Sequence, residues 1–348
     1  MITQLEIKNF RGFSEYKIDD VGQVNLLVGT NNCGKTSVLE AIHLIKSRGE
    51  FFSYISSVDQ RGERYKQETR MVRDFRGLFY GFSLSLSSVF SIYCNGEEEL
   101  KTSIEKREDM SVSTDISNED YKFHITYRIK NKLAESFVSF NDGGVTQRFV
   151  RHISQHNKNI KFIPAASLSP QMVVRLFEEI LLTHDEDLVL NAVKIIEPDI
   201  IRLAPLGGSN SSTAISRGGI VVKSSKWEER IPIGSFGDGI WRLLGLALSL
   251  VGAKDGTLLI DEIDTGLHHT VMSKMWKLIC ATAKKLNVQV FATTHSRDCW
   301  ETLADNAVED EFADMPIRIH RINKDKKQAT TFTNREMHLA LNRDVEVR

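Results

Sequence analysis

The chain has 348 residues, 41% hydrophobic and 26% charged, with 45 Lys and Arg against 46 Asp and Glu for a formal net charge of −1. That length suits one large α/β domain with insertions or two modest domains. The balanced charge excludes the global basic field of a protein that lives on nucleic acid, while leaving room for a local basic face.

Four cysteines (Cys33, Cys94, Cys280 and Cys299) show no C-x-x-C spacing and are expected as reduced thiols. The opening MITQLEIKNF has no long apolar stretch and so does not read as a signal peptide. The longest apolar run, Ile240 to Gly252, carries Arg242 and falls short of the roughly 20 residues a membrane span needs. A soluble cytoplasmic protein without a membrane partner is expected.

Gln4 to Phe10 alternates in the manner of a half-buried strand. Val24 to Gly29 is a short apolar run, read as a buried strand that feeds a glycine-rich loop, and Lys35 to Lys46 carries apolar residues at helical spacing. Residues 61–77 hold many cations. Met71, Val72, Phe75, Leu78 and Phe79 are spaced for the apolar face of a helix, with the cations on its solvated face.

From about Ser83 to Val150 the period is mostly two, which predicts antiparallel strands joined by polar turns such as Asn141 to Gly144. Arg148, Arg151, Lys158 and Lys161 form a second basic cluster. A short parallel-type strand follows at Ile160 to Ala166, then helices near Pro170 to Leu182 and Asp185 to Ile196. Gly207 to Gly219 is a loop by composition. The core pattern resumes at Ile231. It predicts a helix over Asp238 to Gly252, a buried strand in GTLLIDEID, a helix in LHHTVMSKMWKLICATAKKL and a buried strand in VQVFATTHS. A polar-tipped hairpin in IRIHRINKDKKQATTFT closes the pattern.

Four motifs sit in this frame. Gly29 to Thr36, GTNNCGKT, fits G-x-x-x-x-G-K-T between a strand and a helix, the context a phosphate-binding loop requires. Gly29 and Gly34 allow backbone angles that turn N–H groups onto phosphate oxygens. Lys35 reaches the β- and γ-phosphates, the Thr36 hydroxyl ligates Mg²⁺, and the helix start adds its positive dipole end.

Thr257 to His268, TLLIDEIDTGLH, ends a core strand in two carboxylates. Adjacent strand positions face opposite ways, so Asp261 is assigned to Mg²⁺ and Glu262 to the proton of the attacking water. The plainer reading has the pair capping the next helix. FATTHS brings His295 to the same sheet edge, where it can hydrogen-bond the γ-phosphate or the water; the plainer reading is a structural histidine.

In SFGDGIWRLL, Ser235, Gly237 and Gly239 precede a strongly apolar helix and make a second anion-binding helix start. Two phosphate-binding ends in one chain are reconciled most simply by a dimer. Each nucleotide then lies between the loop of one chain and the serine segment of the other. The chain lacks the N-K-x-D segment with which GTPases read guanine, so ATP is the expected nucleotide.

Taken in order, FRGF, GTNNCGKT, SFGDG, LLIDEIDTGLH and TTHS resemble the ABC-type ATPases of the RecF/SMC/OLD group, especially small bacterial stand-alone ATPases found beside effector genes. The terminal DVEVR resembles this group's usual ending. The likeness covers both ends of the chain and the sheet between, whereas residues from about 50 to 230 are not matched one by one.

The resemblance implies a P-loop NTPase fold of ABC-ATPase type, α/β, with a mixed core sheet, an antiparallel β region and a short helical insertion at about 167–200. Lobe I (1–230) and lobe II (231–348) would form one ATPase domain. Gly29 to Thr36 corresponds to Walker A, giving Gly29, Asn31, Asn32, Gly34, Lys35, Thr36 and Ser37 as phosphate-binding residues. Asp261 and Glu262 correspond to Walker B, Asp264 to the D-loop and His295 to the switch histidine. Ser235 to Gly239 corresponds to the signature acting in trans, and Arg11 to an arginine near the nucleotide.

Three departures qualify the likeness. SFGDG lacks the paired glycines of the transporter form, which argues against a transport subunit. The glutamine that senses Mg²⁺ has no clear counterpart, and Gln171 is the candidate. Cys33 is unusual within the loop but small enough to fit.

The insertion is too short for a DNA-spanning coiled coil, and too few residues follow Ser296 for a nuclease domain. The expected function is therefore an ATP- and Mg²⁺-dependent dimeric switch. It would control a nuclease- or toxin-like effector encoded nearby, in bacterial anti-phage defence. A RecF-like DNA-binding ATPase of repair is the alternative, a transporter subunit a distant third, and DNA contact stays open.

Overall fold

The computed structural model describes residues 1–67, 70–82, 85, 88–106, 121–141, 144–151, 159–206 and 219–348. The chain begins with β1 (Leu5–Phe10), β2 (Phe13–Ile18), β3 (Val24–Val28), α1 (Lys35–Lys46) and α2 (Phe51–Gln60). A hairpin of β4 (Arg64–Gln67) and β5 (Arg70–Arg73) precedes β6 (Val89–Cys94), β7 (Glu98–Lys106), β8 (Tyr121–Ile129), β9 (Lys132–Asn141) and β10 (Gly144–Arg151). Then come β11 (Ile160–Ile163), α3 (Pro170–Ile180), α4 (Glu186–Val193), β12 (Ile200–Pro205), β13 (Ile220–Ser224) and β14 (Ile231–Pro232). The remainder is α5 (Asp238–Gly252), β15 (Thr257–Ile260), α6 (His269–Leu286), β16 (Gln289–Thr293), α7 (Arg297–Asn306), β17 (Ile317–Arg321), β18 (Thr330–Phe332) and α8 (Asn334–Asn342).

The site hangs on one six-stranded sheet in the order β11-β15-β16-β3-β17-β18. The first five strands run parallel, and β18 pairs antiparallel with β17 at the edge. The apolar run VNLLV explains why β3 lies inside: all five residues are buried, with alternate side chains on opposite faces. Val24, Leu26 and Val28 pack into the core that holds α5 and α6. Leu27 points the other way, into the core of α1 and the antiparallel sheet. Leu259 of β15 and Phe291 of β16 share that second core, while Leu258, Ile260, Val290 and Ala292 share the first. Each such side chain stabilises the fold by roughly 1.5–3 kcal/mol relative to exposure. Because β3, β15 and β16 are parallel neighbours, the three segments that follow them leave from one edge of the sheet.

The second sheet is antiparallel, seven strands in the order β10-β9-β8-β7-β6-β1-β2. Helix α1 lies between the two sheets, touching β1, β6 and β7 on one side and β15 and β16 on the other. A small antiparallel sheet, β12-β13-β14, sits beside α3 and α4.

Three expectations need correction. The described residues between 61 and 79 do not form one helix: β4 and β5 pair antiparallel from Arg64–Arg73 to Gln67–Arg70, followed by a 3₁₀ turn at Arg76–Leu78. Leu78 and Phe79 are buried there because Phe79 bridges to Phe10, beside β1, so tertiary contact rather than helical period explains their apolar character. The core pattern also resumes before Ile231, since Ile220 to Val222 of β13 are buried. Lastly, α8 follows the closing hairpin, with a full capping box between Thr333 and Glu336.

Helices α2 and α7 were not read from the sequence either. The turn at Asn141 to Gly144 and the loop at Gly207 to Gly219 fall largely outside the described residues, as do Lys158 and the side chains of Arg148 and Arg151. The expected lobe boundary at 230/231 falls between β13 and β14, which pair through Val221–Pro232 and Val222–Ile231. Among the described residues no helix is long and apolar enough to cross a membrane.

Candidate nucleotide site

The loop after β3 uses its two outer glycines for space as well as backbone freedom. Gly29 has φ +141, and a Cβ there would lie 2.5 Å from the Ile322 carbonyl oxygen. Gly34 has φ +103, and a Cβ there would lie 2.3 Å from the Phe13 ring. Any other residue at either position would push the loop off its strand and helix. Gly34 is the N-cap of α1 and supplies no side-chain cap, so the first N–H groups of the helix are left for a ligand in the loop.

Lys35 is 5% exposed and lies along this loop. Its Nζ donates to the carbonyls of Gly29 (2.8 Å) and Thr30 (3.0 Å) and lies 3.4 Å from His295 Nδ1. Burial holds Lys35 below its ordinary pKa, opposed by Cys33, Asp261 and Glu262. Asn31 and Asn32 are exposed at the loop tip, Asn32 with φ +60. Ser37 is buried, and its Oγ accepts a hydrogen bond from Arg61 Nη2 at 3.0 Å.

Thr36 faces the end of β15. Its Oγ1 is 3.1 Å from Asp261 Oδ1 and 3.2 Å from Oδ2, and Thr293 Oγ1 donates to Asp261 Oδ1 at 2.6 Å. A hydroxyl and a carboxylate are the hard oxygen donors that Mg²⁺ takes. Among the described residues no group of three or more His, Cys, Asp or Glu is placed to hold a metal. A two-residue hold therefore fits Mg²⁺, which usually keeps one or two protein ligands and fills its octahedron with phosphate and water.

Glu262 parts from Asp261 for a different reason than strand alternation. The strand stops at Ile260, and Glu262 sits in the left-handed region with φ +47. Three contacts hold it there: Glu262 N donates to Thr293 Oγ1 at 2.8 Å, and the Glu262 carbonyl accepts from Arg242 Nη2 at 2.9 Å and from Thr265 N at 3.0 Å. Such a conformation in a non-glycine residue costs about 1–3 kcal/mol and persists only where its surroundings fix it. The pair does not cap the next helix, because α6 begins at His269 with His268 as its N-cap. Asp264 Oδ1 accepts from Thr294 Oγ1 at 2.6 Å, tying this segment to the end of β16.

His295 follows β16 after one intervening residue, Thr294. An ammonium only donates, so Lys35 makes His295 Nδ1 the acceptor and leaves the proton on Nε2. Burial first, and Lys35 second, pull the imidazole below its ordinary pKa, so the neutral ring is the form present at neutral pH. That ring keeps one N–H to offer.

The structure thus brings Lys35, Thr36, Asp261, Glu262 and His295 to one sheet edge. Ser235, Gly237 and Gly239 have no hydrogen bond to that group, among the described residues. This segment forms a 3₁₀ turn at Ile233–Phe236, Gly237 with φ +87, and an α5 start without a side-chain cap. Ser235, Gly237 and Asp238 are exposed there, and a Cβ on Gly239 would lie 3.0 Å from the Gly266 carbonyl oxygen.

Two candidates stand elsewhere. Arg11 is 3% exposed, and its guanidinium pairs with Glu40 at 2.9 Å and with Glu63, so it lies beneath α1 among carboxylates. Gln171 is exposed in the first turn of α3, several residues beyond the end of β11.

Five side chains at the site escaped the sequence reading. Arg61 bonds Glu40 at 2.7 Å as well as Ser37, yet it stood in a cation run read as a solvated face. Arg242 is 2% exposed and donates to Pro164 O (2.9 Å), Asp261 O (2.7 Å) and Glu262 O (2.9 Å). A lone cation in the most apolar helix was the available signal. Thr293 and Thr294 each serve a carboxylate, and the doublet before His295 was the signal there. Arg348 donates to the His295 carbonyl at 2.7 Å, a contact no local pattern announces.

A parallel sheet that joins a Gly-Lys-Thr loop, an Asp-Glu pair and a histidine at one edge, with an antiparallel sheet beyond α1, defines an ABC-type ATPase of the RecF/SMC/OLD group. The chain belongs to the AAA ATPase domain family, whose profile matches residues 1–197, and a second AAA-domain profile matches residues 206–298. It is similar to an ATP/GTP phosphatase of Helicobacter pylori, 23% identical over 344 residues and 90% of either chain. It is also similar to the OLD nuclease of Thermus scotoductus, 22% identical over 321 residues, 85% of this chain and 59% of that protein's length. A crystal structure of an SMC head bound to the C-winged helix domain of ScpA has a TM-score of 0.49 at 15% identity, covering 95% of this chain and 97% of that one.

Proposed function

We propose that the protein hydrolyses ATP with Mg²⁺ at this sheet edge and works as a nucleotide-driven dimeric switch on a partner protein. The observation that carries the reading is the meeting at one sheet edge of two pairs, Lys35 with His295 and Thr36 with Asp261, with Glu262 next to Asp261 in the chain. Lys35 exchanges its carbonyl partners for the β- and γ-phosphates, which its charge favours. Thr36 and Asp261 would hold Mg²⁺, which would supply charge neutralisation at the phosphate oxygens. Glu262 takes the proton of the attacking water. His295 donates its Nε2–H to the γ-phosphate, and Asp264 fixes the segment between them.

The signature segment acts in trans. Ser235 and Gly237 are exposed at an uncapped helix start and are not bonded to their own chain's loop, as a composite site between two copies requires. Arg242 then links that helix to the Asp261 and Glu262 carbonyls, so engagement of the partner's nucleotide is felt at the hydrolytic pair. ATP is the working nucleotide, and slower GTP turnover fits a loosely held base; the Helicobacter pylori relative's name covers both.

The partner is an effector, nuclease- or toxin-like and encoded nearby, in anti-phage defence in the bacterial cytoplasm. The resemblance to stand-alone ATPases beside effector genes supports this.

Mixing two inactive variants tests the composite site. Ser235→Arg and Lys35→Ala chains are each expected to be inactive, and their mixture to regain part of the turnover through one intact site per mixed dimer. Full activity of Ser235→Arg alone at high dilution would rule out the trans geometry.

A further inference from the structure

The segment after α8 turns back onto the site. Val345 N donates to the Ala340 carbonyl at 2.8 Å, which reverses the chain, and Val347 is fully buried in the core shared with α5 and α6. Two contacts then fasten this segment to the start of α7. Arg297, two residues past His295, pairs with Asp344. Arg348 Nη1 donates to the backbone carbonyl of His295 at 2.7 Å. The aim of that nitrogen is set from the other side of the guanidinium. Glu346 Oε1 accepts from Arg348 Nε at 2.9 Å and Oε2 from Nη2 at 2.8 Å, so both are occupied and Nη1 is left for the carbonyl.

His295 itself lies between the last residue of β16 and the first of α7. Its ring is held in front by Lys35, and the Thr294 hydroxyl ties the preceding residue to Asp264. The peptide behind the ring is held by Arg348. A charged donor on a carbonyl is stronger than a neutral one, and small misplacement of a catalytic group can lower a rate by about 10²-fold.

Resting on the reading of His295 as the donor to the γ-phosphate, we propose that Arg348 is a positioning residue for turnover. It acts through the His295 carbonyl, and residues 344–348 are the strap that keeps the imidazole in register with Lys35.

The test is a double-mutant cycle on the full chain, with single-turnover phosphate release so that slow variants are measured. Arg348→Ala is expected to lower kcat about tenfold with KM within about twofold of wild type. Arg348→Lys, which keeps a charged donor, should recover much of that loss. In a His295→Ala background, Arg348→Ala should have no further effect on kcat.

Equal losses from Arg348→Ala in both backgrounds would make it a general structural contact and overturn the proposal. So would an unchanged kcat in Arg348→Ala beside a strongly impaired His295→Ala. Wild-type turnover by His295→Ala would instead remove the role of His295, and this inference with it.

Discussion

Thr36 and Asp261, 225 positions apart in the chain, meet hydroxyl to carboxylate at 3.1 Å because β3 and β15 end at the same edge of one sheet. In the proposed mechanism both oxygens turn to one Mg²⁺. Asp261→Asn removes the charge and keeps the shape. The Mg²⁺ concentration for half-maximal turnover should rise about tenfold or more, and kcat should fall. Thr36→Ser should stay close to wild type and Thr36→Val should resemble Asp261→Asn. The double variant should lose less than the sum of the two, since both act on one ion. A Mg²⁺ titration of ATP turnover gives all four results.

Lys35→Ala removes the cation that the loop keeps buried against its own carbonyls. ATP affinity should fall by about 10- to 10²-fold, the range of a charged hydrogen bond. Equilibrium binding of a fluorescent ATP analogue measures it, and unchanged affinity would move the phosphate site away from this loop.

Arg242→Met tests the link between the helix that starts at the signature and the hydrolytic pair. The variant keeps the apolar stem but removes the charged donor from the Asp261 carbonyl and from the carbonyls of Pro164 and Glu262, which keep Ser167 N and Thr265 N as partners. A loss of about 3 kcal/mol in denaturant unfolding is expected. Below the melting transition kcat should fall more than KM changes, because Glu262 loses the charged one of the three contacts that hold its left-handed backbone.

What the sequence made legible was whatever repeats locally. The helix over Lys35 to Lys46, the parallel strands and the loop between them follow from period and from glycines, and all three hydrolytic segments were recognisable at strand ends. The hairpin at Arg64–Arg73 was misread as a helix because the apolar residues beyond it, such as Phe79, are fixed by a bridge to Phe10. The parting of Asp261 and Glu262 was anticipated for the wrong reason, since φ at Glu262 depends on Thr293 and Arg242. Arg11 turned out to face Glu40 and Glu63, an ion pairing that distant residues decide. The terminal DVEVR stood out by resemblance, but nothing local in it announces that Arg348 reaches the His295 carbonyl.

Two buried histidines give stability a pH dependence. Burial pulls His43, packed near Phe162, down to about 4, and His320 down to about 3. His320 Nε2 donates to Asn25 Oδ1, and burial, helped by Arg318, favours the neutral ring there. The unfolded chain takes up these protons near pH 6.5 while the native chain does not. Stability is therefore full above that pH and declines as pH falls toward the native values. Each histidine should subtract about 2 kcal/mol between pH 6.5 and 5. Denaturant unfolding at pH 7.5 and pH 5 reads the difference, and His320→Gln should flatten part of it.

The central claim is that two copies close around ATP and that Glu262 opens them by hydrolysis. Glu262→Gln keeps size and polarity but cannot take the proton, so turnover should fall by roughly 10²–10⁴. Lys35, Thr36 and Asp261 remain, so ATP and Mg²⁺ should still bind. Size-exclusion chromatography with light scattering, run on Glu262→Gln with and without MgATP, is the direct measurement. The expected result is a monomer without nucleotide and a dimer with it, while Glu262→Gln combined with Lys35→Ala stays monomeric in both. A Glu262→Gln protein that binds MgATP yet keeps the same mass with and without it would contradict the claim.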